Sequence, residues 1–408
     1  MHPHPNPPPS RGRAARNMLT LKVKNQKTGP VINRHPWVFS QALEKIPDNL
    51  KPGTPVKLIS DRTGYLATGY FNSYSQIAVR LWGYDEQEEI NKDFFVRRIQ
   101  RASDIRRKYV ETPETNAYRL INGENDFLPG FIVDKYDRHL VIQCHTRGIE
   151  AWKDAIVEAL IEAVNPTGIF ERSDSSSRKI EGMENNSGLL YGNVPDVVTM
   201  KENGFTFLAD VKQGQKTGFF LDQRDKRYAL MKYARDRSVL NCFCYTGGFS
   251  IYALAGGARR VAGVDVSASA LELAKENVKL NGLDAGKCEF VRDDVKAYLK
   301  NAQTGEFDVI ILDPPAFIKD RKKKMEGLVG YRSINEMALR MLPENGILTT
   351  CSCSAHLPLL DFRYLLSETG GKAKRSLRFL ETYTHGIDHA VLAPFLEGEY
   401  LKCFFVML

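Results

Sequence analysis

The stretch Ser238-Val-Leu-Asn-Cys-Phe-Cys-Tyr-Thr-Gly-Gly-Phe-Ser250 decides the fold of this chain. Val239 and Leu240 begin a short apolar run, and Thr246-Gly247-Gly248 interrupt it. Phe249-Ser-Ile-Tyr-Ala-Leu254 then resumes with helical spacing. The pattern predicts a strand, a glycine turn and a helix. A second strand-like run, Val261-Ala-Gly-Val264, ends in Asp265. Glycine lets a ligand approach the backbone, and the helix N-terminus offers free N–H groups. An acid at the tip of the second strand, about 20 residues on, is placed to accept from ribose hydroxyls. The unit is expected to bind a nucleoside-like cofactor. It lacks the G-x-G-x-x-G dinucleotide fingerprint, which favours S-adenosylmethionine (SAM), a ligand with a ribose and an amino-acid tail but no phosphate. The competing reading is a structural turn of any doubly wound fold.

Outward from this turn the alternation of strand and helix continues. Gly218-Phe-Phe-Leu-Asp-Gln-Arg-Asp225 opens a helix, Ala268–Asn281 is a second, and Tyr331–Leu342 a third. Glu289–Val295 reads as the third strand, Phe307–Asp313 as an apolar fourth, Gly346–Ser354 as a fifth, and Gly398–Leu408 as closing strands. Successive strands end in the glycine turn, Asp265, Asp293-Asp294 and Asp313-Pro314-Pro315. Ligands of open parallel sheets bind at those ends, and this order is the one a SAM-dependent methyltransferase needs. Asp265 is assigned to ribose, Asp294 to the adenine amine and Asp313 to the reacting group.

At 408 residues, the chain predicts two or three domains. A hydrophobic content of 43% with 26% charged residues is that of a globular chain. Its net charge of +8 suits an anionic partner such as nucleic acid. Seven cysteines without a C-x-x-C pair suggest reduced thiols, a cytoplasmic location and no metal site. No apolar run approaches membrane-spanning length, so no membrane partner is expected. Residues 1–17, rich in Pro and Arg, are read as a disordered tail without a secretory signal. Residues 18–91 alternate short strands with turns and form a small β-rich domain. In it, Arg34-His-Pro-Trp-Val-Phe39 is expected to open a helix, with Arg34 toward RNA and Trp37 and Phe39 either facing RNA or in the core. Lys92–Lys108 predicts an amphipathic helix whose apolar positions 94, 95, 96, 99 and 102 share a face. It opens a central α+β domain, 92–192, with a helix at Glu150–Val164, a strand from Gly168 to Asp174 and an exposed connection over 182–200. Residues 193–408 carry the cofactor fold.

The fifth strand supplies Cys351 and Cys353, two apart and therefore on one face. Cytosine C5 is too poor a nucleophile to accept a methyl group unaided. Thiolate addition at C6 makes C5 enamine-like, and a carboxyl group at N3, assigned to Asp313, stabilises the charge that develops. The alternative for the pair is two buried structural thiols. Lys319-Asp-Arg-Lys-Lys-Lys324 follows Asp313-Pro-Pro directly and is either a solvated loop or a phosphate grip, with Lys319, Arg321, Lys322 and Lys323 as the RNA contacts.

From about Leu19 onward the chain resembles the 23S rRNA 5-methylcytosine methyltransferases of the YccW type. The resemblance rests on Arg34–Phe39, Asp126-Phe-Leu-Pro-Gly130, Lys216-Thr-Gly-Phe-Phe-Leu-Asp-Gln-Arg224, Leu240–Phe249, Phe290–Asp294, Asp313-Pro-Pro-Ala-Phe317 and Ser352-Cys-Ser354. It implies an α/β architecture: a PUA-like N-terminal domain, a central α+β domain and a Rossmann-like class I methyltransferase sheet. It implies Cys353 as nucleophile, since that residue matches the family's Ser-Cys-Ser cysteine, with Cys351 an additional thiol. Phe220, Asp222, Gln223 and Arg224 flank the cofactor, with Arg224 facing its carboxylate. Asn241, Tyr245, Thr246, Gly247, Gly248, Phe249, Asp293 and Pro314 complete the cofactor set carried by these motifs, beside Asp265, Asp294 and Asp313. Other RNA 5-methylcytosine enzymes carry a cysteine where this chain has Pro315, so another base must remove the C5 proton. Ala316 stands where the family commonly has a basic residue.

The expected activity is therefore SAM-dependent 5-methylcytosine formation in large-subunit rRNA. Two other readings stay open: exocyclic N-methylation through Asp313-Pro-Pro without a thiol, and a non-catalytic RNA-binding assembly factor. Oligomeric state is left open, a homodimer included.

Overall fold

The computed structural model describes residues 18–408, so the expectation for residues 1–17 lies outside the described residues. The chain divides into two compact units. One comprises residues up to 109, 119–194 and 392–395; the other comprises 110–118, 195–391 and 396–408.

The first unit holds two five-stranded sheets. β1 (Leu19–Lys22), β2 (Trp37–Phe39), β3 (Pro55–Ser60), β4 (Gly64–Phe71) and β5 (Ile77–Gly83) lie in the order β1-β3-β4-β5-β2. β1 is parallel to β3 and the other neighbours are antiparallel. Alternation along β3 sends Val56 and Leu58 into a core with Leu21, Val38, Val79 and Leu81. The expected helix at Arg34–Phe39 is instead the turn into β2; a short helix, Gly29–Ile32, precedes it. Pro36 cannot continue a helix, and pairing of β2 with β5 turns Val38 inward, only 3% exposed. Trp37 is therefore half-buried, donating to Glu124 at 2.8 Å and packing on Phe395, and Phe39 is exposed.

β6 (Ala117–Asn122), β7 (Phe131–Tyr136), β8 (His139–Cys144), β9 (Gly168–Ser173) and β10 (Asn186–Gly192) form the second sheet in the order β10-β9-β8-β7-β6. β10 falls within the stretch expected to be an exposed connection. Its exposed Leu189 and Tyr191 hide the strand from an alternation test, yet it pairs antiparallel with β9. The helix Lys92–Tyr109 buries Phe94, Phe95, Val96, Ile99 and Ala102, the apolar face expected of it. The second expected helix is two, Arg147–Ala151 and Lys153–Val164, meeting at Trp152.

The second unit contains a hairpin, β11 (Val197–Glu202) and β12 (Phe205–Asp210), and a seven-stranded sheet. Its strands are β13 (Ser238–Cys242), β14 (Arg260–Asp265), β15 (Cys288–Arg292), β16 (Val309–Leu312), β17 (Ile347–Ser352), β18 (Arg378–Tyr383) and β19 (Lys402–Met407). They lie in the order β15-β14-β13-β16-β17-β19-β18. β13 to β17 are mutually parallel, and β19 runs antiparallel between β17 and β18. β13, β16 and β17 are buried at every position, as strands covered on both faces must be. Strand order reverses between β13 and β16, which opens a crevice at their carboxyl ends. The helix expected from Tyr331 starts earlier, spanning Lys324–Met341, because Asp320 caps a short turn at Arg321–Lys323 that feeds it.

Candidate active site

A cavity of about 800 Å3 occupies this crevice, lined by the ends of β13, β14, β16 and β17, the segment 215–227 and Tyr400-Leu401. Phe243 (φ 60°), Tyr245 (φ 47°) and Gly247 (φ 77°) turn the backbone sharply between β13 and the helix Gly248–Ala255. Glycine is required at 247: a Cβ there would add left-handed strain and sit 3.0 Å from the Ala274 Cβ. Asp265 stabilises the turn across strands, accepting from the N–H of Tyr245 and of Ser267, each at 2.9 Å. Asn277 braces it from behind, donating to the Thr246 carbonyl and accepting from the Leu208 N–H.

Of the residues assigned to the cofactor, Phe220, Asp222, Gln223, Tyr245, Thr246, Gly248, Phe249, Asp265, Asp294, Asp313 and Pro314 line the cavity. Asp294 also caps the helix Val295–Asn301 by accepting from the Ala297 N–H. Other expected cofactor contacts stand outside the lining. Arg224 is committed to Asp388, pairing through both terminal guanidinium nitrogens at 2.8 and 3.2 Å in a buried site. Asn241 lies beneath the turn and donates to Ser250. Gly247 faces Ala274, and Asp293 accepts from the Asp294 N–H. Lining residues that sequence reasoning missed include Lys216, Phe219, Arg227 and Tyr400. Lys216 stood inside a quoted motif, whereas Tyr400 carried no signal, since only folding brings the segment before β19 to the crevice.

The reacting end of the cavity gathers Asp313, Cys353, Asp222 and Lys216. Gln223 donates to Asp313 at 2.8 Å. Burial, reinforced by the charge of Asp222, pushes the Asp313 carboxyl up to about 6. Asp222 behaves oppositely: burial opposes its ionisation, but Lys216, His389 and a 2.7 Å hydrogen bond from Tyr400 Oη hold it well below the carboxylate range. Cys353 lies beyond the last residue of β17, its Sγ 3.8 Å from the Pro314 carbonyl. Burial pushes its thiol up to about 11 against the pull of Lys216. Cys351 does not share this position. It is still within β17, directly opposite Cys403 of β19, fully buried, and its thiol is raised well above the ordinary value, foremost by a hydrogen bond with Cys403. The period-two argument for a common face fails because the strand ends between the two cysteines.

Lys319, Arg321, Lys322 and Lys323 are exposed just after Asp313-Pro-Pro. Arg34 lies in the first unit, its guanidinium 4.2 Å over the Tyr84 ring, beside a second cavity lined also by Arg98, Arg101 and Phe127.

The donor set fits SAM. Asp222 Oδ1, Gln223 Oε1 and Thr246 Oγ1 are buried without a partner among the described residues, and groups of this kind are costly unless a ligand completes them. Asp222 supplies the negative charge that an amino-acid ammonium requires. The S-adenosylmethionine-dependent methyltransferase family matches residues 182–395, and a PUA-like domain matches 21–83. A ribosomal RNA large subunit methyltransferase I of Tolumonas auensis is 42% identical over 387 residues, covering 94% of this chain and 98% of that protein. The protein of that name from Cronobacter sakazakii is 41% identical over 389 residues, covering 95% and 98%. Among solved structures, a methyltransferase complexed with SAH superimposes with a TM-score of 0.84 at 26% identity, covering 96% of this chain and all of that one. A Streptococcus mutans protein described as a SAM-dependent methyltransferase gives 0.82 at 26% identity, with the same coverage. A glycine turn, three acidic strand ends and kinship over more than nine-tenths of the chain lead to one conclusion: the chain belongs to the SAM-dependent methyltransferase family of ribosomal RNA large subunit methyltransferase I.

Proposed function

We propose that this enzyme forms 5-methylcytosine in large-subunit rRNA through a covalent adduct between Cys353 and cytosine C6. The observation that carries the reading is the placement of Cys353 beside the Asp313-Pro314 segment, with both side chains lining one cavity. Large-subunit rRNA comes from the names of the relatives.

When bound, SAM supplies the methyl group. Phe220, Asp222, Gln223, Thr246, Asp265 and Asp294 hold it, with Asp222 toward the ammonium, Asp265 toward the ribose and Asp294 toward the adenine amine. The Cys353 thiolate attacks C6 of the pyrimidine. A carboxylic acid at Asp313 donates to N3 as electron density arrives there, and its raised pKa suits that donation near neutrality. C5 is then nucleophilic. After methylation, the C5 proton passes to solvent in the cavity, the electron pair it leaves expels the Cys353 sulfur as thiolate, and N3 returns its proton to Asp313. Arg34 and the run Lys319–Lys323 contact RNA phosphates; steep loss of affinity with salt is the expected signature. We infer action in the cytoplasm; among the described residues, no helix is long and apolar enough to cross a membrane.

Cys353→Ala is expected to abolish methylation while sparing SAM binding, and RNA bearing 5-fluorocytidine is expected to trap a covalent complex through Cys353 and not Cys351. Full activity of Cys353→Ala would eliminate the thiol mechanism and leave exocyclic N-methylation in its place, which nucleoside mass spectrometry would identify.

A further inference from the structure

Lys402 is a buried cation that the mechanism above leaves unused. It begins β19, 2% exposed, with Ser352 directly opposite in β17. Its Nζ donates to the Ser354 carbonyl at 2.7 Å and the Tyr400 carbonyl at 2.9 Å. No carboxylate lies within ion-pair distance of it among the described residues, in a chain whose other deeply buried cations are mostly matched. Arg224 has Asp388, Arg227 has Glu202 and Arg106 has Asp126. A buried ammonium held only by neutral carbonyls is costly unless an anion forms nearby. The residue between its two strand contacts, Ser352 and Ser354, is Cys353.

We propose that Lys402 is a positioning residue whose fixed ammonium supplies the counter-charge for the Cys353 thiolate. The proposal rests on the reading of Cys353 as nucleophile and assigns the group that makes it one. At neutral pH, where Lys402 is an ammonium, the S–H bond breaks heterolytically, the proton leaves to solvent through the cavity, the electron pair stays on sulfur, and Lys402 keeps its proton. Two carbonyls fix the Nζ, so the charge needs no rearrangement when the thiolate appears.

The electrostatic surroundings agree. Burial raises the thiol most, Lys216 lowers it, Asp313 and Asp222 raise it, and Lys402, the smallest of these influences while the thiol is neutral, lowers it. Burial lowers the Lys402 ammonium to about 8, while Cys353 first and Glu399 second support its charge. Of the two cations, Lys216 is 45% exposed and lies 3.6 Å from Asp222, so its charge is largely directed there and screened. Lys402 has no carboxylate within ion-pair distance among the described residues, and Glu399 acts on it from farther away.

The test is the pH dependence of Cys353 alkylation by iodoacetamide, read on its own peptide by mass spectrometry, with SAH binding as the check of folding. Lys402→Met is expected to move the alkylation profile alkaline by about one pH unit and slow the reaction at pH 7.5 about tenfold, whereas Lys402→Arg keeps the profile. A folded Lys402→Met protein with an unchanged profile overturns the proposal. If Lys402→Met does not fold, reciprocity decides the question. In protein carrying 13Cε-lysine, Lys402 is expected to titrate at higher pH in Cys353→Asp, which places an anion at that position, than in Cys353→Ser, and identical titration overturns the proposal. Alkylation does not require methyl transfer. An active Cys353→Ala enzyme would therefore refute the covalent mechanism, while an unmoved profile would refute only the role of Lys402.

Discussion

Asp313 and Cys353 face the same two neighbours, and those neighbours act in opposite senses. Asp222 raises both groups and Lys216 lowers both. Asp222→Asn removes the like charge and leaves Lys216 unpaired, so the Asp313 carboxyl should fall from about 6 toward the ordinary carboxylate range. With SAM saturating, the fraction of protonated Asp313 at neutral pH then drops. The methylation rate should drop with it, by about tenfold for each pH unit that the carboxyl falls. Lys216→Met should move the same limb of the pH–rate profile the other way. A profile unaffected by both changes would remove Asp313 as the N3 acid. At this scale the sequence was only partly legible. The Asp-Pro-Pro and Ser-Cys-Ser segments could be read directly, but Cys351 and Cys353 could not be separated by spacing, because the end of β17 at Ser352 is set by pairing with β19.

Strand ends were the most legible elements, since a buried parallel strand must be an apolar run and its ligand-facing end must be polar. The turn after β13 was read correctly for the same reason, and it makes a prediction. Gly247→Ala forces an L-residue to φ 77° and brings its Cβ toward Ala274, so stability should drop by about 1–2 kcal/mol in denaturant titrations, with weaker SAH binding by calorimetry. Arg224 shows the opposite case. A basic residue near the start of a helix beside the cofactor invites assignment to a carboxylate, yet Asp388, 164 positions away, takes it. Arg224→Met should cost about 3–5 kcal/mol by stranding that acid, and adding Asp388→Leu should recover most of it. No local pattern could have revealed a partner so distant in sequence. β10 and β2 were missed for related reasons: exposed side chains on one, and a three-residue strand defined only by its neighbour on the other.

Across the whole molecule, each unit contains a histidine kept neutral. Burial lowers His145 in the first unit and His385 in the second to about 4. His385 accepts from the N–H groups of Tyr400 and Leu401, a role open only to the unprotonated ring. The native state therefore resists protons that the unfolded chain binds below about 6.5. Stability from these groups is complete above that value and is lost as pH falls toward 4. Denaturant midpoints should be level from pH 8 to 7 and decline between 6.5 and 4, and His145→Gln should make the decline shallower. The basic excess of the chain and its β-rich beginning were visible in composition and turn spacing. The division into units was not, because residues 392–395 join the first unit from the far end of the chain.

The position of β19 has a consequence for synthesis. It is inserted between β17 and β18, both of which leave the ribosome before it. A nascent chain that has reached Glu399 already contains the glycine turn, Asp265, Asp313 and Cys353. It lacks Tyr400 and Lys402, and the inner edges of β17 and β18 have nothing to pair with. Two adjacent bare edges invite pairing with other chains. A stalled or truncated product is thus expected to be an aggregation hazard with an unfinished site, and catalytic competence arrives only with the last strand of the sheet.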